Sequence, residues 1–145
     1  MKILIQRVTQ ANVEVNAKTV GAIDGGIVVL VGVTDNDTVA QATWLANKLV
    51  NLRIFEDEAG KINRSLIDQK GAALIISQFT LYSDCRDGRG PSFTQTAPPE
   101  MSKHLYDHFI EEVRKSGIPV ATGIFGAEMK VSLINDGPAT LIFER

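Results

Sequence analysis

Two runs of aliphatic residues restrict the fold of this chain more than any other feature of its sequence. Residues 27–31 read Ile-Val-Val-Leu-Val, and residues 72–76 read Ala-Ala-Leu-Ile-Ile. The first run is rich in β-branched side chains and has the length of a strand that is buried on both faces. The second predicts another strongly apolar strand. A sheet with a covered centre is therefore expected.

The rest of the chain supplies further strands and two helices. Apolar residues recur at helical spacing over residues 38–51, where Asp35 or Asp37 is expected to cap the helix. A second helix is expected from Pro98 and Pro99 to a stop at Gly117. Alternation or apolar content predicts further strands at residues 2–10, 11–15, 18–23, 129–133 and 140–143. The order is not βαβα, so we predict an α+β protein, residues 1–145 forming a single domain in which two helices cover a mainly antiparallel, barrel-like sheet.

Composition limits the partners and the compartment. Fifteen Lys and Arg against 17 Asp and Glu leave a net charge of −2, so no basic field attracts nucleic acid indiscriminately and DNA is not an expected partner. The lone Cys85 indicates a reducing compartment. The longest apolar stretch has seven residues, too few to span a bilayer. We expect a cytoplasmic protein without a membrane partner.

Three motifs have an ordinary structural interpretation as well as a functional one. His104 and His108 have the spacing of a zinc site, but Leu105 replaces the usual glutamate and no third ligand is suggested, so no metal or other cofactor is expected. Residues 123–126 spell GXXG, which indicates a tight turn when strands flank it. Arg86 and Arg89 lie in a long glycine-rich loop and either contact phosphates or remain solvated.

Two polar segments are the strongest site candidates. Ser77, Gln78, Phe79 and Thr80 follow the second aliphatic run, where hydrogen-bonding side chains require partners or a ligand. Residues 135–138, Asn-Asp-Gly-Pro, are all turn formers and first indicate a turn between two strands. Spacing alone does not show that the two segments meet.

Together these segments resemble D-aminoacyl-tRNA deacylases, the chiral-proofreading enzymes of translation. The resemblance covers the whole chain. It is carried by residues 5–8 (IQRV), 77–81 (SQFTL), 89–93 (RGPSF) and 131–138 (VSLINDGP). Four short segments in the family's order make a chance match improbable.

The resemblance implies a homodimer whose active sites lie at the subunit interface. In the family, a Gly-Pro turn with a cis peptide bond enters the partner's pocket, and it corresponds here to Gly137 and Pro138. Arg7 matches the residue that anchors this turn. Phe125 and Met129 match positions that line the adenosine pocket, and Ser77 to Thr80 match the segment beside the reacting ester.

The implied reaction is hydrolysis of the ester that joins a D-amino acid to the 3′ end of tRNA. No Ser-His-Asp grouping surrounds Thr80, so a Thr80 nucleophile lacks an evident base. We therefore favour a mechanism in which the terminal 2′-hydroxyl assists. In this mechanism, backbone N–H groups near Phe79 and Thr80 bind the oxyanion.

Selection between mirror-image substrates requires an obstruction, because D- and L-amino acids carry the same groups. A rigid turn at Gly137 and Pro138 supplies one, and it cannot exclude glycine, so glycyl-tRNA mischarged on alanine tRNA is an expected substrate. Two alternatives remain open. One is a non-catalytic module that binds RNA ends by stacking on Phe79 and Phe93, and the other is an esterase with Thr80 as its nucleophile.

Overall fold

The computed structural model describes residues 1–145. The strands are β1 (Lys2–Val15), β2 (Lys18–Ile23), β3 (Gly26–Gly32), β4 (Phe55–Glu56), β5 (Ile62–Arg64), β6 (Ala72–Ser77), β7 (Val120–Thr122) and β8 (Lys130–Glu144). The helices are α1 (Val39–Asn51), α2 (Leu66–Gln69) and α3 (Pro99–Arg114). A short 3-10 helix covers Phe79–Tyr82. None of these helices combines the length and the apolar composition needed to cross a bilayer.

Six strands form one strongly curved sheet, in which β1 pairs with three other strands. β1 pairs antiparallel with β2 and β3 along one edge and with β8 along the other, while β3, β6 and β7 pair parallel. The sheet nearly closes where β2 approaches β7, because a Cβ atom placed on Gly21 would lie 2.6 Å from the carbonyl oxygen of Thr122. The α+β prediction with a barrel-like core is confirmed, although the sheet contains two parallel pairs.

The run at residues 27–31 lies in β3 at the centre of the sheet, as predicted, and the run at residues 72–76 forms the neighbouring strand β6. One face of β3 and β6 packs against α1 and α3, with Leu45 and Phe109 fully buried. The other face fills the inside of the curved sheet, where Val13, Leu74 and Ile76 are buried. Burial on both faces explains why neither run alternates with polar residues.

The cap of α1 differs from the prediction. Thr38, rather than Asp35 or Asp37, is the N-cap, and its backbone N–H donates to the Gln41 side chain at 2.8 Å. Asp37 is buried and accepts hydrogen bonds from the ammonium group of Met1 and from the Thr34 backbone N–H. Asp37 therefore joins the chain terminus to the loop that precedes α1.

The terminal strands are longer than predicted, because β1 and β8 each continue through a point where a break was expected. In β8 the segment at residues 135–138 does not form a turn between separate strands. Asn135 pairs with Val8 and Thr140 pairs with Gln6, so residues 136–139 form a bulge without partners in β1. The turn-forming residues at 135–138 therefore form part of a bulge within one continuous strand.

The start of β3 supplies a stability test with a built-in control. A Cβ atom on Gly26 would lie 1.9 Å from the carbonyl oxygen of Ala72 on β6, whereas a Cβ atom on Gly25 would meet nothing within 4 Å. We expect Gly26→Ala to lower the free energy of unfolding by about 3 kcal/mol, because backbone atoms of paired strands must separate. Gly25→Ala should change it by less than about 1 kcal/mol. Urea denaturation of both variants tests this, and equal midpoints would contradict it.

Candidate active site

The end of β6 carries the first group of candidate residues. The strand stops after Ser77, and the backbone N–H of Gln78 donates to the carbonyl of Val31 at 2.7 Å. The chain then enters the 3-10 helix, which begins at Phe79. This abrupt change of direction exposes half of the Phe79 side chain, at 52%. The residues that directly follow the buried strand β6 therefore reach the protein surface.

A cleft of about 830 Å³ opens at this end of the sheet. Five of the predicted site residues line it: Ser77, Gln78, Phe79, Phe125 and Met129. The first three come from the end of β6 and the last two from the segment between β7 and β8. The structure thus brings together residues that lie about fifty positions apart in the chain.

Aromatic rings form two sides of the cleft. Phe79 and Phe93 meet edge to face with ring centroids 5.2 Å apart, and both rings are substantially exposed. Phe125 packs on Tyr106, with centroids 5.9 Å apart. The Tyr106 hydroxyl donates to the carbonyl of Ile75 at 2.9 Å, and burial raises the pKa of Tyr106 to about 12. Tyr106 therefore stays protonated and holds the wall that carries Phe125.

Thr80 follows Phe79 in the 3-10 helix but is not among the residues that line the cleft, and neither histidine lines it. The Thr80 hydroxyl accepts a hydrogen bond from the Gln78 side-chain amide. His104 and His108 are both on α3, where His108 lies 2.9 Å from the Thr43 hydroxyl and 3.7 Å from the Glu112 carboxylate. These contacts fix His108 against α1 and leave Thr80 without an imidazole base.

Arg7 and the bulge of β8 form a second group, separate from this chain's cleft. Arg7 is 6% exposed, and its Nε atom lies 3.1 Å from both the carbonyl and the carboxylate oxygens of Asp136. The Asn135 side-chain amide donates to the Arg7 carbonyl at 3.0 Å. Gly137 and Pro138, joined by a cis peptide bond, are exposed and do not line the cleft of their own chain. The predicted residues thus fall into two clusters.

Several residues of the cleft were missed by the sequence analysis. Its far wall is formed by Asp35, Thr96, Ala97, Pro98, Pro99 and Ser102. The proline pair at the start of α3 was identified only as a helix signal. The GXXG segment does form a tight turn, in which Gly126 has a φ of +76°, and this turn lies at the edge of the cleft.

The loop that precedes Phe93 neutralises part of its own charge. Asp84 and Ser92 pair across its base, and the Arg86 guanidinium binds the Asp84 carboxylate. This guanidinium holds the pKa of Asp84 at about 2. Arg86 is therefore already engaged by a carboxylate in the loop.

Comparison with known proteins identifies relatives over the full length of the chain. The family model described as D-Tyr-tRNA(Tyr) deacylase matches residues 4–144. Proteins named D-aminoacyl-tRNA deacylase from Bacillus mycoides (strain KBAB4) and Geotalea uraniireducens (strain Rf4) are each 57% identical over 144 residues. The alignment covers 99% of this chain in both cases, and 99% and 93% of the two relatives.

Two solved structures share the fold. A protein described as "c-Myc DNA Unwinding Element Binding Protein" is 39% identical, with a TM-score of 0.93, and the match covers 100% of this chain and 99% of the other. A probable eukaryotic D-amino acid tRNA deacylase is 23% identical, with a TM-score of 0.84 and coverage of 98% and 97%. The second likeness supports the fold alone.

Proposed function

Because the chain belongs to the D-Tyr-tRNA(Tyr) deacylase family, whose members are hydrolases that act on aminoacyl-tRNA, we propose that its cleft receives the 3′ end of D-aminoacyl-tRNA. The reaction is hydrolysis of the ester bond, which releases free tRNA and a D-amino acid. The observation that carries the proposal is the meeting of Ser77, Gln78, Phe79, Phe125 and Met129 in one cleft.

The dimensions and the walls of the cleft suit a terminal adenosine. Phe79 and Phe93 offer exposed ring surfaces on one side, and Phe125 and Met129 offer apolar surface on the other. Stacking on such surfaces contributes about 1–3 kcal/mol for each base. With the base held there, the ester lies beside the end of β6.

The start of the 3-10 helix supplies donors for the oxyanion. The Leu81 N–H donates to the Gln78 carbonyl, and this first intrahelical hydrogen bond leaves the N–H groups of Phe79 and Thr80 without a partner in the helix. We assign the N–H groups of Phe79 and Thr80 to the carbonyl oxygen, where negative charge develops during hydrolysis. The 2′-hydroxyl of the terminal ribose then assists the attacking water, since Thr80 has no base beside it.

The exposed face of β8 supports a homodimer with composite active sites. β8 pairs on one side only, with β1, and it exposes Val131, Ile134, Leu141 and Ile142 at 37–62% of their surface. An edge strand that exposes several apolar side chains is a template for association. A second copy of the chain covers it and brings the bulge of one subunit to the cleft of the other.

The bulge then acts as the chiral filter. Arg7 holds the bulge through Asp136, and Gly137 lets main-chain atoms approach a ligand closely because it has no side chain. An L-side chain collides with this backbone, whereas a D-side chain points away from it. Glycine carries no side chain and passes, so glycine mischarged on alanine tRNA is a further substrate.

Turnover of matched substrates tests the function. We expect the native chain to hydrolyse D-tyrosyl-tRNA and glycyl-tRNA and to leave L-tyrosyl-tRNA at its spontaneous rate, with release of free amino acid as the measurement. Binding without release would favour a nucleic-acid-binding module. Glycyl esters that persist at enzyme levels which clear D-tyrosyl esters would contradict the obstruction model.

The alternatives are separable on the same substrates. An esterase with a Thr80 nucleophile would show a covalent mass shift at Thr80, and a stacking module would show no turnover. DNA is not proposed as a partner, because the net charge of −2 provides no general attraction to a duplex. We place the enzyme in the cytoplasm, where its tRNA substrates are, and treat residues 1–145 as one functional domain.

A further inference from the structure

The far wall of the cleft has a polar corner made by Asp35 and Thr96. The loop after β3 and the segment before α3 are joined by an antiparallel bridge between Thr34 and Thr96. The Ala97 N–H donates to the Val33 carbonyl at 3.1 Å and extends this pairing. The bridge joins the loop of Asp35 to the segment of Thr96, and both residues line the same cleft as the aromatic rings.

Neither the Thr96 hydroxyl nor the Asp35 carboxylate has a hydrogen-bond or ion-pair partner within the chain. The Thr96 hydroxyl is closed to solvent and has no hydrogen-bond partner. Asp35 is exposed and takes part in none of the ion pairs. Buried hydroxyls in folded proteins almost always have partners, so we assign as partner a ligand group in the cleft that Thr96 lines, which the hydroxyl reaches when the Thr96 side chain turns toward the cleft.

The chemistry of the corner favours one kind of ligand edge. A carboxylate only accepts hydrogen bonds, whereas a hydroxyl both donates and accepts. An amino group beside a ring nitrogen satisfies both residues, because the amine donates to Asp35 and the ring nitrogen accepts from Thr96. A carbonyl beside a ring N–H presents the reverse pattern and places its oxygen against the carboxylate.

We propose that Asp35 and Thr96 read the amino edge of the terminal base, so that this enzyme selects an adenine-type terminus and rejects a 6-oxopurine. The inference rests on the proposed function, in which the terminal adenosine lies between Phe79 and Phe125. Those apolar walls hold any flat base by stacking and do not distinguish one base from another. The polar corner adds the distinction.

The experiment compares three D-tyrosyl-tRNA substrates that differ only in the last nucleoside: adenosine, purine riboside and inosine. Purine riboside lacks the amino group, and inosine replaces it with a carbonyl. We expect kcat/KM to fall about tenfold with purine riboside and about a hundredfold with inosine, as expected for lost hydrogen bonds to a charged group. Most of the change should appear in KM, because the base is held equally in the ground state and the transition state.

Three variants link this preference to the corner. Asp35→Ala should make adenosine and purine riboside equivalent, whereas Asp35→Asn, which keeps an acceptor oxygen, should restore most of the difference. Thr96→Val should lower kcat/KM for both substrates by about tenfold and preserve their ratio. Asn36→Ala is the matched control, because Asn36 is an exposed neighbour that does not line the cleft, and it should behave as the native chain.

The possible outcomes distinguish a failure of this inference from a failure of the proposed deacylase function. Native enzyme that clears all three substrates at one rate overturns the inference and leaves the deacylase function intact. An unchanged adenosine preference in Asp35→Ala also overturns it, as does a Thr96→Val variant with native kcat/KM on adenosine, provided that thermal unfolding shows folded variants. Failure of the native chain to hydrolyse the adenosine-terminated D-substrate overturns both.

Discussion

D-tyrosyl-tRNA that ends in 2′-deoxyadenosine is expected to be deacylated at least about a thousandfold more slowly than the natural substrate. The chain supplies no imidazole near Thr80: both histidines lie on α3, and His108 is held by Thr43. If the base for the attacking water comes from the substrate, removing the 2′-hydroxyl removes it. Single-turnover deacylation with both forms of the tRNA measures the effect.

Thr80→Ala provides the complementary result. Its hydroxyl accepts a hydrogen bond from Gln78, so the substitution removes one contact of the cleft wall and keeps the backbone N–H. We expect a loss of less than about thirtyfold, whereas deletion of a true nucleophile costs on the order of 10⁴-fold or more. Thr80→Ser, which keeps the hydroxyl, should be close to native.

The two measurements together discriminate between the mechanisms. A large loss in Thr80→Ala combined with full activity on the 2′-deoxy substrate would establish Thr80 as the nucleophile and refute substrate assistance. Mass spectrometry of enzyme quenched during turnover adds an independent check, because an acyl-enzyme would carry the mass of the amino acid at Thr80.

The sequence predicts those elements of the fold that are determined by the residue pattern of their own segment. The run at residues 27–31 is uniformly aliphatic and lies in β3, the centre of the sheet. Helix α3 combines a proline start with apolar residues at Met101, Leu105, Phe109 and Val113, four positions apart. Periodicity and capping residues report the environment of their own segment, so both elements could be predicted correctly.

Features that depend on distant segments could not be predicted in this way. Asn135 to Pro138 have turn chemistry, but pairing of β8 with β1 on both sides of them makes the segment a bulge. Asp35 and Thr96 line one cleft because a bridge between Thr34 and Thr96 joins two loops. The roles of Gly137, Pro138, Arg7, Phe125 and Met129 came from the family resemblance, since no spacing rule links them.

Pro138→Ala is expected to give the enzyme measurable activity on L-tyrosyl-tRNA while most D activity remains. The proline ring restricts φ in the exposed bulge, and its removal lets the main chain move away from the substrate. A displacement of about 1 Å at a reacting site changes rates by about a hundredfold, so the D/L ratio of kcat/KM should fall by that order. Parallel assays of both enantiomers measure the ratio.

Gly137→Ala should act in the opposite direction. A Cβ atom on Gly137 would lie 3.4 Å from the Asn135 side-chain oxygen, an ordinary contact, so the chain's own fold should tolerate it. In the proposed composite site the added methyl group narrows the space beside the substrate, and we expect D-tyrosyl and glycyl activities to fall together by about a hundredfold. Gly90→Ala is the control, because a Cβ atom there would meet nothing within 4 Å.

If the chain forms the proposed homodimer, mixed dimers determine which subunit supplies the proposed filter. Ala127 lines the cleft, so Ala127→Trp should obstruct it and inactivate that subunit's site. In a heterodimer of Ala127→Trp with Pro138→Ala, the open cleft belongs to the second chain. If the bulge acts across the interface, that cleft receives a native Pro138 from the first chain, and the heterodimer regains native rejection of L-tyrosyl-tRNA. If the bulge instead acts on the cleft of its own chain, the open cleft is served only by the bulge that carries Pro138→Ala. L-tyrosyl-tRNA is then hydrolysed as in the Pro138→Ala homodimer.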